Sequence, residues 1–389
     1  MYIRIRSDLT ERINSITNPV FKFGESGDRN MSQKLPRRQF IYYASAALGT
    51  SLLLKACGNS SNSPTPNVGN TTNNSTAVTN GKNFKIAMVL PGITTDKAWN
   101  QAGFQGLDTA KNQLGVETAF VEKVAQADQT EALSDFARRG YNVIFAHGGQ
   151  FDAAIQQVAP QFPKTFFVGV NGAVQGANMA SLRIDHLQTS YICGIIGANM
   201  TKSNKLAYLS AQSFQATDEE LRGFELGAKS VKPNIQITPS YTGDWNDAAK
   251  AKEASLALIS SGVDVIYQWL DNASPAVLQT AEEKGVFAFG NTTDQLNLAP
   301  KAVLTSAVKR IDLAIAYLAD LAVKNNLKGE VYTIGLERPE ILYIGKFSDM
   351  VPQELQQKAL QTKEAILAKK IMFEPCQENG KSTRCVKQA

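Results

Sequence analysis

From residue 84 onward, short apolar runs alternate with stretches whose apolar positions recur at helical spacing. FKIAMVLPG (84–92) reads as a buried strand closed by Pro-Gly, and 96–112 reads as a helix carrying Trp99, Phe104 and Leu107. ETAFVEK predicts a strand and 130–139 a helix. YNVIFAHGG, ending in Gly148-Gly149, predicts a strand, 151–159 a helix, and TFFVGVNG another strand. The pattern then restarts. An apolar helix over 188–201 precedes KLAYLSA, a helix over 218–230, IQITPSYTG, a helix over 247–260, VDVIYQWL, a helix over 276–284, and VFAFGNT. Strands alternating with helices of this length predict parallel βαβ units. The repeated layout predicts an α/β chain of two Rossmann-like lobes with parallel sheets joined by a hinge. VLTSAVKRIDLAIAYLADL adds a strand and a helix, and the region after Lys328 adds short strands and a last helix over 354–370.

Length and composition agree with this. The chain has 389 residues, which at roughly 100–200 residues per domain suggests two domains. Hydrophobic residues make up 43%, charged residues 19% and aromatics 8%. These are ordinary globular values and exclude a wholly disordered, collagen-like or disulfide-framework chain. The net charge of +5, from 40 basic and 35 acidic residues, is no argument for nucleic acid, since part of the basic excess lies before Asn59. With two histidines and four cysteines, a His/Cys zinc site has almost no raw material. No metal or cofactor is expected.

The N-terminal part differs in character. Residues 1–30 fit neither a signal nor a domain, and Met31 is a plausible true start. Lys34, Arg37 and Arg38 precede an apolar run from Phe40 to Leu54, about 15 residues, too short to span a membrane. Arg37-Arg38-Gln39-Phe40 resembles a twin-arginine export signal. Ala56-Cys57 resembles a lipoprotein cleavage box, with Lys55 as a departure from the commonest form. Cys57 is therefore the expected lipidation site. The stretch after it, rich in Asn, Ser, Thr, Gly and Pro, lacks the apolar surface to fold and reads as a tether. The expected layout is a leader over 1–57 and a tether over 58–83. A first lobe follows over 84–186 and 292–326, a second over 187–291 and 327–373, and a tail over 374–389. The chain is expected outside the cytoplasm, anchored by lipid to the outer face of the membrane.

In open parallel sheets, ligands sit beyond the carboxyl ends of the strands. The informative positions are thus 91–99, 147–151, 171–172, 210–214, 243–247, 269–274 and 291–295. They hold tryptophans, several Asp, Asn and Gln, and little Lys or Arg. Aromatic faces with amides and carboxylates suit a flat, neutral, polar ligand such as a sugar or nucleoside. No Gly-rich phosphate loop with a Lys follows any strand, and no Gly-x-Ser-x-Gly elbow is present. Cys193, on an apolar helix, reads as inert core. His147 and His186 read as hydrogen-bonded structural histidines. Cys376 and Cys385 flank a polar loop and are either a disulfide or two free thiols. Asp pairs serving glycoside hydrolysis stay open on the residues, because spacing in space is not visible.

Several spaced runs carry a family resemblance: TDKAWNQAGFQG (95–106), GDWND (243–247), YICGIIGANMTKSNKLAYLSA, GVDVIYQWLDNASPAVLQTAEEKGVFAFGNTTDQ and VLTSAVKRID. Together they resemble the basic-membrane-protein (BMP) family of ABC-transporter substrate-binding lipoproteins, which has the type I periplasmic binding protein fold and includes purine nucleoside receptors. The resemblance implies a binding protein with no chemistry of its own, whose lobes close on a purine, nucleoside or similar ring. It implies a sandwich of Trp99 and Trp245, with Asp96 and Asn100 facing the base. It also implies that Asp271 and Asp294 hold polar edges or ribose hydroxyls and that Lys309 reaches the cleft. Gly148, just after its strand, is a further candidate contact. The implied partners are the small-molecule ligand and a membrane permease, with no nucleic acid, and the protein is expected as a monomer. Gln268-Trp269-Leu270-Asp271 and Asn291-Thr292-Thr293 depart from the family pattern, which leaves the ligand's identity open. A ligand-sensing module for a signalling partner and a sugar-binding protein of the same fold are the competing readings.

Overall fold

The computed structural model describes residues 83–96, 99–378 and 380–388, which fall within a single contact unit. Met31, Cys57 and the tether lie outside the described residues. The first sheet has the strand order β11-β5-β4-β3-β1-β2 and is wholly parallel. Its strands are β1 (Lys85–Val89), β2 (Glu117–Val121), β3 (Val143–His147), β4 (Phe166–Val170), β5 (Met179–Ile184) and β11 (Val331–Ile334). Helices α1 (Trp99–Leu114), α2 (Gln129–Arg138) and α3 (Asp152–Val158) connect them. The second sheet has the order β12-β10-β9-β8-β6-β7. Its strands are β6 (Lys205–Ser210), β7 (Gln236–Tyr241), β8 (Val265–Trp269), β9 (Phe287–Thr292), β10 (Val303–Lys309) and β12 (Leu342–Ile344), the last running antiparallel. Its helices are α4 (His186–Met200), α5 (Gln215–Val231), α6 (Ala248–Ser260), α7 (Ser274–Lys284) and α9 (Gln353–Leu367). Helix α8 (Ile311–Val323) packs back on α1.

Central strands are apolar on both faces because helices cover both faces. β3 and β8 are buried at every position. Helix α4 is buried on nearly all sides, which explains its apolar sequence without a polar stripe. It meets α5 backbone to backbone. A Cβ added at Gly227 would collide with the Tyr191 carbonyl oxygen, and one at Gly194 with the Phe224 carbonyl oxygen. Asp247 fixes the start of α6 by accepting from the backbone N–H of Ala249 and Lys250, at 3.0 and 3.1 Å.

The chain crosses between sheets three times. The first crossing is at Ile184–His186, between β5 and α4. The second falls between Lys309 and Ile311 rather than near Asn291, because β9 and β10 pair side by side within the second sheet. The third falls between β11 and β12 rather than near Leu327, because β11 adds to the edge of the first sheet beside β5. The segment from 374 onward, expected as a tail over 374–389, instead contributes residues 374–378 and 381–388 to a hairpin of β13 (Ile371–Glu378) and β14 (Lys381–Gln388) closed by the Cys376–Cys385 disulfide. The hairpin belongs to the second lobe. The Phe373 ring meets Tyr191 of α4 edge-on at 5.3 Å, and Arg222 of α5 donates from Nε to the Arg384 carbonyl at 2.8 Å. Among the described residues, no helix is long and apolar enough to cross a membrane.

Candidate functional site

A cleft of about 350 Å³ lies between the lobes, at the carboxyl ends of the strands. The first lobe lines it with Trp99, Gln101 and Gln105 of α1 and with Asn171, just after β4. The second lobe contributes Trp269 at the end of β8, Asp271 just beyond it, and Thr292 and Thr293 at the end of β9. The crossings supply Ile184, His186, Lys309 and Ile311. Two of these residues hold a left-handed backbone without being glycine: Asn171 with φ 56° and Thr292 with φ 67°. That conformation is a genuine outlier for a β-branched residue such as Thr, and such outliers cluster at ligand clamps.

Each cleft tryptophan has a histidine against it. On the first lobe, the Trp99 indole stacks on the His147 imidazole, with centroids 4.0 Å apart and planes 20° apart. His147 is fully buried and bonds through Nε2 to the Trp99 carbonyl oxygen at 2.8 Å. Burial pushes its pKa down to about 4, so the ring is neutral at physiological pH. Gly103 makes room for it, since a Cβ there would press on the imidazole. On the second lobe, His186 lies 4.8 Å from the Trp269 ring, tilted by 40°. The Lys309 ammonium sits 3.5 Å above the centre of the same indole.

Lys309 is held from below by a buried polar network. Its Nζ donates to Glu220 at 2.6 Å. Glu220 also accepts from the hydroxyls of Tyr208 and Tyr267 and from the Asn291 amide. Burial pulls the Lys309 pKa below the ordinary lysine value, and the Glu220 carboxylate opposes that fall. At the cleft wall, burial and then the charge of Asp96 push Asp271 up to about 7. An ammonium, a carboxyl group with a raised pKa and two indole faces thus line one cavity. That set can hold a polar ring by stacking and hydrogen bonds. Among the described residues, no group of three or more His, Cys, Asp or Glu could hold a metal ion.

Of the residues expected from sequence, Trp99, Asp271 and Lys309 line this cleft. The other five do not, and four of them organise the loops around it. The Asp96 carboxylate accepts from the backbone N–H of Asn100 and Gln101, each at 3.0 Å, and from the Asn100 amide at 2.7 Å. Asn100 in turn accepts from Gly92 N–H at 3.0 Å. Trp245 packs edge-on to Trp269 at 6.4 Å, and its carbonyl oxygen takes the N–H of Asp271 and Ala273 at 3.0 and 3.2 Å. Asp294 accepts from Leu296 and Lys346 N–H at 3.2 and 3.0 Å, tying the loop after β9 to the segment after β12. Gly148, with φ 140°, turns the chain after β3. Position after a strand pointed to Asn171, Trp269, Thr292 and Thr293. Nothing in the sequence pattern pointed to Gln101 or Gln105 as cleft residues, and His186, at the junction of the lobes, was read as structural.

Residues 83–376 match the family model of Bmp, described as PnrA-like ABC transporter substrate-binding protein. The chain belongs to the Bmp family. This Bmp chain is 29% identical over 279 residues to the transcriptional activator protein Med of Bacillus subtilis, covering 72% of this chain and 87% of that one. It is 31% identical over 229 residues to a purine-binding protein of Brucella abortus, covering 58% and 65%. It is 27% identical over 268 residues to the ABC transporter nucleoside-binding protein BmpA of Lactococcus lactis, covering 62% and 76%. A solved structure of a transcriptional activator of the comK gene from Bacillus halodurans matches with TM-score 0.64 at 26% identity, covering 73% and 97%. An ABC transporter solute-binding protein from Aeropyrum pernix matches the Bmp fold with TM-score 0.66 at 18% identity, covering 76% and 94%.

Proposed function

We propose that this Bmp protein is the substrate-binding lipoprotein of an ABC importer, anchored through Cys57, and that it binds a purine base, nucleoside or similar ring between its two lobes. The observation that carries this reading is a cleft walled by one indole from each lobe, Trp99 and Trp269, with Asp271 and Lys309 on its rim and floor. Both lobes contribute lining residues, so a bound ring favours the closed arrangement by its differential affinity. The closed form then docks on a permease, and the tether gives the anchored body the reach to do so. No step of chemistry is assigned to the protein. Trp245, Asp96, Asn100, Asp294 and Gly148 are proposed to shape and position the cleft loops, with Trp99, Asp271 and Lys309 touching the ligand.

Thermal unfolding of the purified protein against purines, nucleosides, sugars and vitamins tests this. A ligand at about 100 times its dissociation constant stabilises by roughly 2.7 kcal/mol, a readily measured shift. A shift with a purine or nucleoside is expected. A shift with sugars alone keeps the fold and moves the ligand class, and no shift from protein with an empty cleft counts against a binding protein. A second reading, a ligand-sensing module, is favoured by the name of the Bacillus subtilis relative, a transcriptional activator. Sensing uses the same closure, and capture of a permease rather than a signalling partner separates the two.

A further inference from the structure

His186 is the first residue of α4, directly after the chain leaves β5 for the second lobe. It lines the cleft, yet it is 96% buried, with 4% exposure. Its Nδ1 is buried with no hydrogen-bond partner among the described residues. Buried polar atoms are paired with few exceptions, and each exception calls for a cause. His147 has the same unpartnered Nδ1 but is anchored through Nε2, which is bonded to a backbone carbonyl at 2.8 Å. Among the described residues, no comparable bond anchors His186. Its neighbours explain what a partner would have to be. Lys309, against the same Trp269 indole, carries three N–H donors and spends one on Glu220. The corner formed by His186, Lys309 and Trp269 is therefore rich in donors, and an ammonium accepts nothing.

We infer that His186 is a ligand-contacting residue that sets specificity: with Lys309 it forms a corner on Trp269 that takes an acceptor oxygen of the ring ligand, so that an oxopurine is favoured over an aminopurine. This rests on the purine reading above and names the class of purine. The imidazole does this as a neutral ring, since burial and then the charges of Lys309 and Arg183 hold its pKa well below the ordinary value. An exocyclic amine at the same place would face the ammonium donor to donor. A carbonyl oxygen there accepts from both.

Isothermal titration of the full chain with inosine and with adenosine tests the assignment, run on the unaltered protein and on His186→Phe. The ring-for-ring change keeps packing on Trp269 and removes both nitrogens. The expected result is a loss of about tenfold in inosine affinity, the scale of one hydrogen bond, with adenosine little changed. The inosine-to-adenosine ratio is the readout, because a merely structural role for His186 would weaken both together. His186→Met fills the space with a flexible side chain lacking such nitrogens, and its ratio decides the matter should the Phe variant not fold. An unchanged ratio in a folded variant overturns the inference while leaving the purine reading intact. An unaltered protein that binds neither nucleoside overturns the purine reading, and this inference with it.

Discussion

Trp99 and His147 behave as one unit, and their variants separate stacking from support. Trp99→Ala removes an indole face from the cleft, and ligand affinity is expected to fall by roughly 1–3 kcal/mol, the scale of base–aromatic stacking. Titration of the parent and variant checks it, and equal affinities would exclude Trp99 as a stacking face. His147 makes a prediction about pH. Its folded pKa of about 4 lies below the ordinary 6.5, so between those values the unfolded chain binds more protons. Stability from this group is then present above pH 6.5 and is lost as pH falls toward 4, at about 1.4 kcal/mol per pH unit at most. Asp271 has the opposite sign. Raised to about 7 from 3.8, it favours the fold most below pH 4, and that contribution is lost as pH rises through 7. Urea unfolding at a series of pH values isolates each. Both groups act between about pH 4 and pH 7 with opposite slopes, so His147→Phe is expected to make stability fall more steeply as pH rises through that window and Asp271→Asn to make it rise, and identical profiles would contradict both shifts. Trp99 and Asp271 were legible in the sequence because they follow strands, where ligands meet open sheets. His186 was read as structural, because it opens α4 just after a crossing and only the fold brings that crossing to the cleft.

At the scale of elements, the contact of α4 with α5 is the least forgiving in the second lobe. Both helices place glycines where their backbones meet, and a Cβ at Gly227 would collide with the carbonyl oxygen of Tyr191. Backbone cannot swing aside as a flexible side chain does. Gly227→Ala is therefore expected to destabilise the protein by about 1–3 kcal/mol despite the better helix propensity of Ala. A lower urea midpoint checks this, and a rise would mean that the helices separate at little cost. Gly115→Ala is no substitute control, since Gly115 holds a positive φ of 67° and fails for a different reason. The alternation of strand and helix was legible over most of the two lobes, because parallel strands buried on both faces form unbroken apolar runs, but β5 was not read as a strand. The sheet to which each late strand belongs was not. VFAFGNT and VLTSAVK are as apolar as the strands of either lobe, so only their pairing reveals that β9 and β10 lie together. The hairpin of β13 and β14 was missed for a related reason. Its strands are half exposed, and without an apolar alternation the segment reads as a polar tail.

For the whole molecule, polar ties among the described residues link the two lobes and bear on how readily the cleft opens. On one side the Asn272 amide of the second lobe donates to the Asp96 carbonyl oxygen of the first at 2.8 Å. The same amide donates to Asn246 at 2.9 Å, which holds it in place on its own lobe. Near the first crossing, Arg183 of β5 pairs with Glu219 of α5 at 2.9 Å. The crossings themselves are covalent and survive any opening, whereas the Asn272 bond must break for the lobes to part at that side. Asn272→Ala removes this tie without touching a cleft-lining side chain. A hydrogen bond of this kind contributes about 1 kcal/mol net, so ligand affinity is expected to fall by roughly fivefold. The loss should appear in the dissociation rate, because the bond holds the closed form and has no part in encounter. Unfolding of the ligand-free protein, which depends on the two lobe cores, should change little. Stopped-flow release of ligand, together with the radius of gyration by small-angle scattering, makes the test. Faster release with a larger mean radius supports a latch at Asn272. Unchanged release would mean that the ligand and the three crossings alone hold the lobes together.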